Sequence, residues 1–134
     1  MTRVPAGRRG GRKLALEALY EHDVAERPVD EILARQAPGP ARSYAERLVG
    51  GVREHGTAID ALIGAVAEDW TLDRMPPIDR NALRIGALEL IYLGVPAGIA
   101  INEAVELAKQ YSTADSGRFV NGILSRIDRD RAGV

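Results

Sequence analysis

The sequence predicts an all-α fold, a compact single-domain bundle of about seven helices, and three observations carry that reading. Apolar residues recur at spacings of three and four along almost the whole chain, the period of a helix buried on one side. Alternating apolar and polar runs, which a half-buried strand needs, are absent. Gly and Pro are placed between the periodic blocks and punctuate them. At 134 residues the chain is the size of one ordinary domain, large enough to bury a core without covalent staples.

The first helix is expected from Gly11 to Ala25. Leu14, Ala18, His22 and Ala25 form one stripe, and Leu16 and Tyr20 lie nearly opposite, because positions two apart on a helix do not share a face. A helix with two apolar faces either sits between two groups of neighbours or keeps one face for a partner. A second copy of the chain, giving a homodimer, would fit that face too. A short helix over Val29 to Gln36 precedes the breaker cluster APGPA at 37–41. Tyr44, Leu48 and Val52 stripe a helix from Ala41 to His55, and Ile59, Leu62, Ile63 and Val66 stripe the next, with Gly56 and Thr57 as the kink or cap between them. Pro77 suits the first turn of a fifth helix, and Asp79 puts a carboxylate where backbone amides lack partners. That helix is expected to end at Gly94. Pro96 opens the sixth, with Ile101, Val105 and Ala108 as its stripe and Ala104, Leu107 and Tyr111 beside it. After the polar link STADS, the last helix turns Val120, Ile123, Leu124 and Ile127 inward. Asn102 and Asn121, polar within apolar helices, are expected to fix the packing of the last two helices by hydrogen bonds.

The absence of cysteine excludes disulfides, thiolate chemistry and cysteine-based zinc sites, and fits a reducing compartment such as the cytoplasm. No apolar stretch approaches the length of a membrane span, and the start MTRVPAGRRGGRK lacks the apolar core of a signal peptide. Net charge is −1, but it is unevenly spread. Residues 1–13 hold Arg3, Arg8, Arg9, Arg12 and Lys13 with no acid, so the rest carries 13 basic against 19 acidic side chains, a net −6. A basic arm on an acidic body confines a polyanion to one edge of the molecule.

Within that arm, Arg8, Arg9 and Arg12 lie close enough together to meet neighbouring phosphates of one strand. Near the last helix, Arg118 and Phe119 follow Ser116 and Gly117. Phe119 lies about 90° from the centre of the inward stripe on a helical wheel, so its ring, the Arg118 guanidinium and free backbone amides suit stacking on an unpaired base. Asp115 reads as the cap of that helix. His22 and His55 have no ligand spacing, and Glu106 and Lys109 pair as a solvated ion pair rather than as acid and base.

Three stretches, IDRNALRIGALEL, AINEAVELAKQYS and DSGRFVNGIL, resemble the NusB family of bacterial transcription antitermination factors. RRGGRKLALEALYEHD resembles the family's basic arm and first helix, and WTLDRM its lead into the fifth-helix region, so the likeness spans nearly the whole chain. It implies a bundle of two packed helix groups without catalytic residues, metal or cofactor, divided here into an arm at 1–12 and an RNA-binding domain at 13–130. It further implies binding of a boxA-type RNA together with the ribosomal protein also called NusE, within the RNA polymerase antitermination complex. By resemblance, Arg8, Arg9, Arg12, Arg118 and Phe119 contact RNA with Asp115 close by, while Tyr20 and Asp79, with Leu16 on the same helix, face NusE. The break at Gly10 and Gly11 suggests a looser arm. Two other expectations compete: an accessory domain of an RNA cytosine methyltransferase system, for which the chain supplies no cofactor loop and no cysteine nucleophile, and an adaptor that binds protein only.

Overall fold

The protein is described here by a computed structural model that covers residues 7–68 and 70–132. The first part of the expected arm, with Arg3, lies outside the described residues. Among the described residues the elements are α1 (Arg8–Ala25), α2 (Val29–Ala34), α3 (Pro40–Glu54), α4 (Gly56–Val66), a 3-10 turn (Leu72–Arg74), α5 (Pro77–Ile91), α6 (Ala97–Tyr111) and α7 (Ala114–Ala132).

Prolines set several of the starts. Pro40 and Pro77 occupy the first turns of α3 and α5, and Pro96 precedes α6, positions at which a missing N–H costs nothing and the fixed φ already suits a helix. α5 stops at Ile91 rather than at Gly94. Gly94 instead takes φ +66 in the turn that follows, a conformation that glycine adopts without the Cβ clash. α1 starts at Arg8, not Gly11, so the boundary drawn after residue 12 falls inside a helix.

The helices form two groups. α1, α2 and α3 pack together, α4 to α7 form the second group, and α1 against α5 joins them. α5 is the spine: every residue from Asn81 to Leu90 except Arg84 is buried. Its apolar residues share a single core with Leu16, Leu48, Val120 and Leu124, and α5 packs against α1, α3 and α7. Burial of that area from water is the main source of stability.

α1 departs from its predicted stripes. Its buried residues are Gly11, Arg12, Ala15, Leu16, Ala18 and Leu19, while His22 and Ala25 are exposed. One broad face goes inward, and Leu16, with no exposed surface, belongs to the core. Asn102 and Asn121 are exposed, so neither ties α6 to α7. The polar residue that does such work is Asn81, fully buried, whose amide donates to Asp23 and to the Pro77 carbonyl, each at 2.9 Å. Among the described residues no helix is long and apolar enough to cross a membrane.

Candidate nucleic-acid and partner surfaces

The start of α1 lies close against α3. A Cβ on Gly11 would stand 2.8 Å from the Tyr44 Cβ and 2.9 Å from the Ala41 carbonyl oxygen, so the glycine that suggested looseness is what permits the close approach. Tyr44 then underlies two guanidinium groups, with the Cζ atoms of Arg8 and Arg12 at 5.3 and 5.8 Å from its ring centroid, within cation–π range.

Arg12 is only 3% exposed. Its Nε donates to both carboxylate oxygens of Glu89 at 3.0 Å, and its NH1 donates to Glu103 at 3.3 Å. Tyr44 donates a short hydrogen bond to the same Glu89 carboxylate. Burial alone would lower the Arg12 pKa, but the Glu89 hydrogen bond and charge, helped by Tyr44 and Glu103, hold it above its usual value. Burial, then the Glu89 hydrogen bond and charge, pushes the Tyr44 hydroxyl up to about 12. The expected phosphate contact at Arg12 is therefore corrected: its donors face two carboxylates inside the protein. Arg9 is the available guanidinium, its side chain 80% exposed and its Nε 3.2 Å from Glu103. With Lys13, Glu103, Glu106 and Gln110 it lines a recess of about 420 Å³, to whose wall the buried Arg12 also contributes.

The α7 start forms a second site. Thr113, not Asp115, caps the helix: the Ser116 N–H donates to the Thr113 hydroxyl at 3.1 Å, the usual N-cap pattern. Asp115 is exposed and pairs with Arg118. Phe119 is partly buried against the core, and its ring meets Trp70 edge-on, with centroids 6.3 Å apart and planes at 70°. Trp70 keeps 49% of its surface exposed. Trp70, Arg118, Phe119, Gly122 and Arg126 line one recess of about 430 Å³, with Glu68 3.6 Å from Arg126 at its edge. Two aromatic rings and two guanidinium groups in one recess suit an unpaired base and its phosphates. Sequence reasoning passed over Trp70, although the only tryptophan, standing in a polar connection rather than on an apolar stripe, was a usable signal.

A third feature is an apolar groove of about 500 Å³ lined by Tyr20, Val24 and Ala25 of α1, Ile78 of α5 and Tyr111 of α6, with Leu16 among its walls and Glu17 and Glu21 beside it. Tyr20 and Val24 expose 39% and 55% of their surface there. The Tyr111 hydroxyl donates to Glu17 at 3.2 Å, and burial, then that carboxylate, raises its pKa. Asp79 does not reach this surface. It is 4% exposed, its Oδ1 has no hydrogen-bond partner, and burial pushes its carboxyl above the usual range against hydrogen bonds from Ser116 and its own backbone amide. The neighbouring Ile78 takes the groove position expected of Asp79.

The sequence profile described as the NusB family matches residues 9–129. The transcription antitermination protein NusB of Salinispora arenicola (strain CNS-205) is 50% identical over 127 residues, which cover 90% of this chain and 93% of that protein. The T. maritima NusB structure superposes with a TM-score of 0.84 at 36% identity, covering 94% of this chain and 93% of that one. A crystal structure of the antitermination factors NusB and NusE in complex with dsRNA gives a TM-score of 0.82 at 31% identity, covering 95% and 99%.

Proposed function

Because the chain belongs to the NusB family, we propose that it is a non-enzymatic transcription antitermination factor that binds a boxA-type single-stranded RNA together with NusE. The observation that carries the RNA site is the Trp70–Phe119 pair in one recess with Arg118 and Arg126. Stacking supplies sequence-tolerant affinity for unpaired bases, and arginines beside the rings meet the backbone. Arg9 and Lys13 at the start of α1 supply a second basic position.

NusE occupies the groove around Tyr20, Val24 and Ile78. An apolar groove with exposed tyrosine and acidic neighbours suits a partner that offers an apolar anchor inside a basic rim. Holding RNA and NusE on one rigid body tethers the nascent transcript to the elongating RNA polymerase in the cytoplasm. The matches run over nearly the full length of antitermination proteins, so the methyltransferase accessory role is not favoured.

The test is a titration of labelled boxA-type and scrambled single strands and a boxA-type duplex, with and without NusE, at two salt concentrations. Preference for the boxA-type single strand, enhanced by NusE and weakened by salt, is the expected result. Equal binding of the boxA-type and scrambled strands would overturn it. Binding of NusE alone, with no RNA affinity, would favour the adaptor role.

A further inference from the structure

Lys109 lies between the two basic recesses and belongs to neither. Gly117, buried in the first turn of α7, is so close to it that a Cβ there would stand 2.5 Å from the Lys109 Cγ and 3.0 Å from its Cδ. The lysine stem is thus laid along the α7 backbone, while the side chain stays 50% exposed and its ammonium stands 3.5 Å from Glu106. A stem packed on apolar surface with its head in water is the usual way a lysine is aimed.

These contacts make a path. Glu106 lines the recess at the start of α1 and pairs with Lys109. Lys109 rests on Gly117, and the next residue, Arg118, lines the aromatic recess. We propose that one RNA strand runs from Arg9 and Lys13, across the outer face of α6, to Phe119 and Trp70, with Lys109 as its middle phosphate contact and Gly117 as the residue that positions it. The inference rests on the RNA-binding function above and extends that site by one contact and one direction.

An ammonium is a compact charge with three donors, suited to a single phosphate. In the free protein Glu106 neutralises it. When RNA binds, Lys109 exchanges the carboxylate for a phosphate, and Glu106 is left as a like charge beside the strand. The two members of the ion pair therefore act with opposite sign on RNA affinity. A pair that served structure alone would act on folding only, with the same sign for both.

The experiment titrates boxA-type single-stranded RNA against folded variants across a salt series. Lys109→Ala should lower affinity several-fold and reduce the salt slope by about 0.7, the loss of one phosphate contact on a single strand. Glu106→Gln should raise affinity. Gly117→Ala, which keeps or improves helix propensity, should displace the lysine stem and reproduce the Lys109→Ala loss. Combining Gly117→Ala with Lys109→Ala should add nothing further. If Lys109→Ala binds like the parent while Arg9→Ala and Phe119→Ala weaken binding, the path is wrong and the RNA-binding function stands. If Arg9→Ala and Phe119→Ala are silent as well, the RNA site itself lies elsewhere and the inference falls with it. A loss in Glu106→Gln equal to that in Lys109→Ala would also overturn the inference.

Discussion

The Nε of Arg12 lies 3.0 Å from both carboxylate oxygens of Glu89, at a separation of 77 residues in sequence. Both side chains are almost completely buried. Removing one partner of such a pair leaves a charge with no compensation, which costs about 3–5 kcal/mol. Arg12→Ala should lose that much stability in urea unfolding, whereas Arg9→Ala, at an exposed pair, should lose roughly 0–1 kcal/mol. The folded fraction of Arg12→Ala should keep the parental salt slope for RNA. A parental melting curve for this variant would show that the pair does not hold the fold.

The aromatic recess predicts a different signature. Phe119→Ala and Trp70→Ala should each weaken binding of the boxA-type strand by roughly 1–3 kcal/mol and leave the salt slope nearly unchanged, since stacking releases no counterions. Trp70 is the cleaner probe because half of its surface is already exposed. If Trp70→Ala binds RNA normally while Phe119→Ala melts early, the ring of Phe119 serves the core and no base stacks there.

At the groove, Tyr20→Ala with Val24→Ala should weaken NusE binding without altering RNA binding by the isolated protein. If NusE and RNA share one assembled surface, NusE raises RNA affinity by the same factor that RNA raises NusE affinity. The double variant should keep little of that gain at a fixed NusE concentration and regain it at saturation. Undiminished NusE affinity would put the partner surface elsewhere.

Asp79 predicts a pH dependence. Its carboxyl titrates above the ordinary range in the folded chain, so the folded state binds this proton more tightly than the unfolded state does. That contribution to stability is complete below the ordinary aspartate range and is lost as pH rises through the raised value. At neutral pH the buried carboxylate is a burden, and Asp79→Asn should be the more stable protein. Unfolding in urea at neutral and mildly acidic pH should show the difference shrinking with acid. A constant difference would assign the effect to packing.

Much of this was legible in the sequence, for local reasons. Pro40, Pro77 and Pro96 act through their own backbone, so they mark helix starts without knowledge of the fold. The Val120, Ile123, Leu124 and Ile127 stripe reports burial directly. Arg12 was misread because its environment is made by Tyr44, Glu89 and Glu103, residues that no local pattern connects to it. Asp79 was misread for a similar reason: its place near the α5 start was right, but whether that start faces water depends on α7. The two apolar faces read for α1 left two outcomes open, a partner face or a place between two helix groups, and Leu16, fully buried, follows the second. Arg118, paired with Asp115 within the first turns of its own helix, has surroundings that a local pattern can supply, whereas Arg9 meets Glu103 of α6 and Phe119 meets Trp70, partners that no local pattern connects to them.

The Arg12 cluster also orders events in time. Its members come from α1, α3, α5 and α6, and its widest hydrogen bond, Arg12 to Glu103, spans 91 residues. Contacts so distant in sequence form late, because the loop they close has to be ordered first. A chain emerging from the ribosome presents α1 before α6 and can lock the α1 start only after α6 has been made. The α1 start is thus among the last parts to reach its working geometry, and a product truncated before α6 is expected to carry the α1 arginines without the partners that fix them.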